Sequence, residues 1–391
     1  MIYNFDEIVD RSDFEAVKLE DTEAIFGSRN VIPLWIADMD FRTAPCVIDA
    51  LHKRVEHGIY GYTYRQPAYF QSISDWQLRR NGWAAPVENM AFSYGVVPGI
   101  QMAVNLATRP GDKVIVQPPV YHPFVGVIEA TSRTLVESPL VQNEQGDYFM
   151  DLNDFEEKLK TGVKAFILCN PHNPVGRCWT KEELKAVGDL CVRYGVEIIS
   201  DEIHSDLMLD GHKHTCMASV SPEIAAITTT CIAPSKTFNL AGLQSSTIVF
   251  NTPERCKLCQ DEQLRNHEGK NSCFSTVATM AAYAGGEEWL DQLLVYLSGN
   301  MKFLRDFCAQ RIPELKPNTP EATYLNWLDA RGLGMNGHDL ERFMIDKAGV
   351  AMSSGVFFGK EGEGFLRLNA ACPRSVLEKA LTQIETAVRN R

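Results

Sequence analysis

Short apolar, β-branched runs recur along this chain with amphipathic helical stretches between them, and that alternation narrows the possible folds more than any other feature. Lys113-Val-Ile-Val-Gln-Pro118, Lys164-Ala-Phe-Ile-Leu-Cys169, Val196-Glu-Ile-Ile-Ser-Asp201, the run from Ile224 to Ile232, and Ser245-Ser-Thr-Ile-Val-Phe250 read as buried strands. Between two of them, Thr180 to Tyr194 has helical spacing, with Thr180 placed to cap the helix ahead of Glu183. Strand and helix in alternation predict an α/β fold whose mainly parallel sheet is covered on both faces. In such sheets ligands collect beyond the carboxyl ends of the strands. After about Glu287 the pattern changes. A long helical region runs to near Arg311, where Pro313, Pro317 and Pro320 break it. Tyr324-Leu-Asn-Trp-Leu328 and Phe365-Leu-Arg-Leu-Asn369 then read as short strands, and Ser375 to Val388 as an amphipathic helix, which together predict a smaller α+β domain. No internal repeat or low-complexity segment is visible.

Composition excludes several classes of function. The 391 residues carry a formal net charge of -12, which argues against nucleic acid or an anionic membrane as partner. The opening residues Met1 to Glu7 lack a basic start and an apolar core, so no secretory signal is expected, and no apolar stretch approaches a membrane span. Eleven cysteines are an odd number and are scattered. Cys169 and Cys231 sit inside apolar runs, where a thiol serves as a small hydrophobe. Cys256 and Cys259 have no second pair nearby, and His212 and His214 lack further ligands, so no metal is expected. A reducing cytoplasm fits this cysteine usage.

The residues that carry chemistry fall at strand ends. Lys236 lies in Ala233-Pro-Ser-Lys-Thr-Phe-Asn-Leu-Ala-Gly-Leu243, just past an apolar run. Partial desolvation there lowers an ammonium pKa and makes the amine a nucleophile; the plain alternative is a snorkelling lysine. Asp201 closes another run. It suits either a helix cap or a carboxylate partner for a protonated pyridine nitrogen. His204 is placed to reach such a ring's phenolic oxygen or to pack. Asn173, in Asn170-Pro-His-Asn-Pro-Val-Gly176, is held in a stiff loop, where its amide donates to a phenolate or closes a turn. Ser93-Tyr-Gly-Val-Val-Pro-Gly-Ile100 precedes a helical pattern whose first free amides form a phosphate cradle. Tyr121 suits stacking on an aromatic ligand or ordinary packing. Arg367, among Phe365, Leu366 and Leu368, is either half of an internal salt bridge or a clasp for a substrate carboxylate.

Taken in this order, the residues resemble the fold-type I pyridoxal-phosphate (PLP) enzymes of the aspartate aminotransferase superfamily. More narrowly, the chain resembles the cystathionine β-lyase group, the MalY/PatB type of cysteine–sulfur lyases. The most specific pieces are Pro33-Leu-Trp-Ile-Ala-Asp-Met-Asp-Phe41, Asn170 to Arg177, Ser200-Asp-Glu-Ile-His-Ser-Asp206, and Ala233 to Ser246. The resemblance implies a PLP-dependent transferase-like fold with an N-terminal segment (1–35) packed on the small domain, a large PLP-binding domain (36–286) and a small C-terminal domain (287–391). It makes Lys236 the Schiff-base lysine and Asp201 the pyridinium partner, with Asn173 and His204 near the phenolic oxygen and Tyr121 on the ring. Val96, Val97 and Ser235 become phosphate contacts, and Tyr62 reaches the phosphate of a neighbouring subunit, which implies a homodimer. Arg367 takes the substrate α-carboxylate, with Asn173 and Ala37 in the same pocket.

Two departures from the general transaminase pattern, Ala233 and Gln244, are shared by the lyase group, and Gln244 leaves the phosphate site one cation short. The activity implied is α,β-elimination of L-cystathionine or a related cysteine S-conjugate to a thiol, pyruvate and ammonia, in cytoplasmic amino-acid metabolism that includes methionine biosynthesis. Lys236 acts as the base, and Tyr121 or a water protonates the sulfur. An aminotransferase is the alternative on the same scaffold, and a PLP protein that works by binding a partner is the third reading.

Overall fold

The alternating pattern closes into a seven-stranded sheet in a computed structural model, which describes residues 3–268, 270 and 272–391. Met1 and Ile2, at the head of the N-terminal segment, lie outside the described residues. Across the sheet the strands run Met90–Ser93, Ser246–Val249, Thr228–Ile232, Glu197–Asp201, Val163–Cys169, Lys113–Val116 and Thr134–Glu137. Ser246–Val249 is antiparallel to both of its neighbours, and the remaining pairs of this sheet are parallel. Because it is reversed against both of them, Met90–Ser93 points the same way as the rest. Ser93, Cys169, Asp201 and Ile232 therefore all finish on one edge.

Period-two alternation explains why the central strands read as unbroken apolar runs. Phe166 and Leu168 pack with Phe155, Leu184 and Val187 on one face. Ala165, Ile167 and Cys169 pack with Val96, Ile100 and Phe124 on the other. Both faces are dry. The helix Lys181–Tyr194 starts as its sequence predicts: the Glu183 amide donates to Thr180 Oγ1 at 3.2 Å, and the Thr180 amide donates to the Glu183 carboxylate at 2.8 Å. Such a cap is worth about 1 kcal/mol.

One expected strand is shorter than its apolar run. Ile224 belongs to the helix Pro222–Ala225, and the strand begins only at Thr228. Ser221 caps that helix and Pro222 opens it, so capping and a preset φ override the β-branched composition.

Beyond the helix Glu287–Arg311, a four-stranded antiparallel sheet is ordered Lys316–Pro317, Leu325–Asp329, Phe365–Asn369, Ser353–Ser354, followed by the helix Arg374–Arg389. Ile32–Pro33 pairs in parallel with Val350–Ala351, which joins the N-terminal segment to this part of the molecule. All eleven cysteines are free, and Cys256 and Cys259 are buried against the sheet. Among the described residues no three potential metal ligands gather, and no helix is long and apolar enough to cross a membrane.

Candidate active site

The edge where the parallel strands finish holds a cavity of about 200 Å³. Val96 and Val97 reach it from the helix after Met90–Ser93, and Tyr121 from the loop after Lys113–Val116. Asn173, Asp201 and His204 follow the next two strands, while Ser235 and Lys236 follow Thr228–Ile232. Ala37 completes the wall. Arg367 joins through its Nη1, which donates to Asn173 Oδ1 at 3.1 Å. That bond fixes the Asn173 amide and leaves its Nδ2 as a donor, so the turn-closing role does not apply. Tyr62 is not brought to the cavity. It is 92 % exposed, with the Lys270 ammonium 4.1 Å above its ring.

Among the described residues, the charges here make no direct ion pair. The Asp201 carboxylate is buried and accepts a hydrogen bond from the Ile203 amide at 3.1 Å. Burial pushes its pKa up to about 7, against smaller opposing effects of that amide and of Lys236. No helix follows it, so it caps none. Lys236 Nζ donates to the Ala37 carbonyl at 2.6 Å. Desolvation first, then the nearby Arg367 charge, bring its pKa down to about 8. His204 is buried with Nδ1 unpartnered, and desolvation lowers its pKa to about 3, so the ring is neutral. Arg367 is 6 % exposed and meets only uncharged groups: Asn173, the Trp35 carbonyl at 2.9 Å, Ser353 Oγ at 3.3 Å and the face of Phe358. Among the described residues its Nε has no partner. The internal salt bridge considered for Arg367 is therefore absent among the described residues.

Backbone amides line one wall of the cavity. Gly95 precedes the helix Val96–Ala107 without a capping side chain, which leaves the first amides free. Gly99 lets that helix lie close to the sheet, since a Cβ there would come within 3.1 Å of Ile248 Cγ1. Gln244 lines the same cavity from a left-handed turn, φ 49°.

Several residues that shape the site were not legible as such. Tyr324 is fully buried and its hydroxyl donates to the Ala37 carbonyl at 2.9 Å. Asn239 and Asn369 hold the backbone on either side of Ala37. Glu202 pairs with His214 Nε2 at 2.8 Å and accepts from Ser200 Oγ and the Met217 amide. His214 thus has a partner that spacing alone did not reveal.

A cavity walled by an amine, a carboxylate and free helix-start amides, at this edge of this sheet, defines a class of protein. The family model for aminotransferase class I and II matches residues 29–384, and the chain belongs to that family. Among curated proteins it is 43% identical to cystathionine beta-lyase PatB of Bacillus subtilis (strain 168), over 98% of this chain and 100% of the relative. Among solved structures, a PLP-bound protein of Clostridium difficile 630 provisionally named an aminotransferase superposes with a TM-score of 0.97 at 48% identity, covering 99% and 100% of the two chains. The PLP-bound C-S lyase of Staphylococcus hominis gives 0.93 at 34%, covering 99% and 98%.

Proposed function

We propose that this chain is a PLP-dependent carbon–sulfur β-lyase that converts L-cystathionine or a related cysteine S-conjugate, with water, to a thiol, pyruvate and ammonia. The observation that carries the reading is a set of buried ionisable groups, Asp201, Lys236 and Arg367, that meet mainly neutral partners around one cavity. Unpaired buried charge is unfavourable unless a ligand completes it.

The residues fit the cofactor. Asp201 would hold the ring nitrogen, Asn173 and His204 the phenolic oxygen, Tyr121 the ring face, and Val96, Val97 and Ser235 the phosphate. Lys236 would hold the aldehyde carbon. Once bound, PLP supplies an electron-poor ring that takes up the electron pair of the breaking Cα–H bond. Arg367 clasps the substrate carboxylate in a fixed fork, beside Asn173 and Ala37, and so sets which bond at Cα faces Lys236. Lys236, whose basicity burial has already reduced, takes the Cα proton. The proton for the departing sulfur comes from Tyr121 or from a water.

The same proposal includes a homodimer in which Tyr62 reaches the partner's phosphate, and the three-part division at 35/36 and 286/287. A cytoplasmic place in methionine biosynthesis belongs to it as well. An aminotransferase is the second reading, favoured by the C. difficile neighbour.

Purified protein assayed against cystathionine, cysteine and alanine without keto acid separates the two. Thiol and pyruvate from cystathionine alone support the lyase; turnover that requires 2-oxoglutarate supports the aminotransferase. Lys236→Ala is expected to lose the absorbance band of PLP joined covalently to the lysine and at least about a thousandfold in rate. An unchanged spectrum would remove the lysine from its role.

A further inference from the structure

The backbone from Trp35 to Phe41 is gripped along its length by side chains. Arg367 Nη2 donates to the Trp35 carbonyl, and Asn369 Nδ2 donates to the carbonyls of Ile36 and Asp38, both at 2.6 Å. From the other end, Asn239 Oδ1 accepts the Met39 amide at 3.0 Å, and its Nδ2 donates to the carbonyls of Met39 at 2.9 Å and Phe41 at 3.1 Å. Ala37 lies between the two carbonyls that Asn369 holds and two residues before the Asn239 grip, and its carbonyl receives both Lys236 Nζ and Tyr324 Oη. Asn239 stands three residues after Lys236 in a left-handed conformation, φ 57°, which favours glycine. A side chain is kept there, and all three of its hydrogen bonds run to this one segment.

We propose that Asn239 is a positioning residue for the lysine chemistry: it ties the turn that carries Lys236 to the segment that carries Ala37, and so fixes the carbonyl on which the free ammonium rests. The inference depends on the reading of Lys236 as the lysine that holds the PLP aldehyde. A lysine displaced by substrate regains several free torsions, and an ordered acceptor restricts where its head group waits. That acceptor also favours the charged amine and so opposes the desolvation around it. It belongs to the backbone and cannot be substituted away, which makes Asn239 the handle on it.

The test compares the full chain with its Asn239→Gly variant, which removes the hydrogen bonds while relieving the left-handed backbone. Each protein, freed of cofactor, is mixed with PLP across a pH series and the growth of absorbance is timed. In the variant the midpoint of the pH dependence is expected about half a unit to one unit lower, because the free amine has lost its fixed acceptor. In the loaded enzyme, kcat is expected to fall about tenfold with KM changed less than about twofold. Asn239→Ala, which removes the same hydrogen bonds without adding a charge, is expected to shift the midpoint in the same direction, and it stands in if the glycine variant does not fold. A midpoint that coincides with that of the unaltered chain overturns the proposal, even if the variant melts earlier, since that pattern marks a purely structural side chain. Lys236→Ala run alongside separates the two levels. A band beyond that of free PLP growing in that control defeats the lysine reading itself; no such band there, together with an unshifted Asn239 variant, defeats only the inference about Asn239.

Discussion

The side chains and the backbone of the Trp35–Phe41 segment meet two different populations of cations. Its carboxylates, Asp38 and Asp40, hold Arg11 and Lys18 charge to charge, with Arg11 2.6 Å from Asp38 and 2.8 Å from Asp40, and Lys18 2.7 Å from Asp40. Its carbonyls at Trp35 and Ala37 hold Arg367 and Lys236, and neutral oxygens are their hydrogen-bond acceptors. Lys18 is 1 % exposed, about as buried as Arg367, so depth does not separate the groups. Completion does. Where charge serves the fold, the chain supplies its own counter-charge; where the counter-charge is missing, a ligand's carboxylate or phosphate is the natural partner.

Substitutions on the two sides of that divide should behave in opposite ways. Arg367→Met is expected to lower kcat/KM by about a hundredfold to a thousandfold, through loss of the bidentate clasp. The same change should leave the melting temperature of the cofactor-free protein level or higher, because an unpaired buried guanidinium gives way to an apolar chain. A clear drop in melting temperature would place Arg367 among the structural charges. Lys18→Met should show the reverse. Denaturant titration is expected to reveal a loss of about 3 kcal/mol, since Asp38 and Asp40 are left short of a partner. Cofactor absorbance and KM should stay unchanged at temperatures where the variant is folded.

The smallest effect concerns Asp201, and its sign depends on pH. The folded pKa of about 7 lies above the ordinary 3.8, so the native state keeps a proton that the unfolded state releases between those values. Stability conferred by this group is therefore complete below about pH 4 and is lost as pH rises toward 7. Cofactor-free Asp201→Asn is expected to be more stable than the unaltered chain at pH 8 by about 1–2 kcal/mol, with no gain near pH 4. Melting curves at the two pH values check this. In the loaded protein the variant should instead release PLP more readily.

How much of this was readable beforehand follows from what each residue leaves in the sequence. Two-faced strands announce themselves because every position is apolar, as in Val163–Cys169. Lys236 and Asp201 stood out because an ionisable group at the end of such a run is out of keeping with it. Tyr324 did not, since at the head of Tyr324-Leu-Asn-Trp-Leu328 it looks like one more core aromatic, and its hydroxyl's role depends on a carbonyl 287 residues away. Asn239 lies beside Lys236 in the run from Ala233 to Leu243, but its partners belong to a segment 198 to 200 positions upstream. The Glu202–His214 pair was hidden for a similar reason, as spacing carries no sign of which loop folds back. Composition misled at Ile224, where a serine–proline start outweighed the apolar run.

One consequence follows from the single reversed strand. Because Ser246–Val249 runs against its neighbours, the chain leaves Thr228–Ile232 and re-enters the sheet at the same rim, without crossing to the far side. The loop between them visits the reaction chamber twice, first with Ser235 and Lys236, then with Ala241, Gln244 and Ser245. Ala241 and Gln244 belong to no strand and, unlike Ser245, whose hydroxyl meets those of Tyr69 and Thr279, can be exchanged without touching a strand; on the proposed reading, natural variation there retunes affinity for an anion and leaves Lys236 in place.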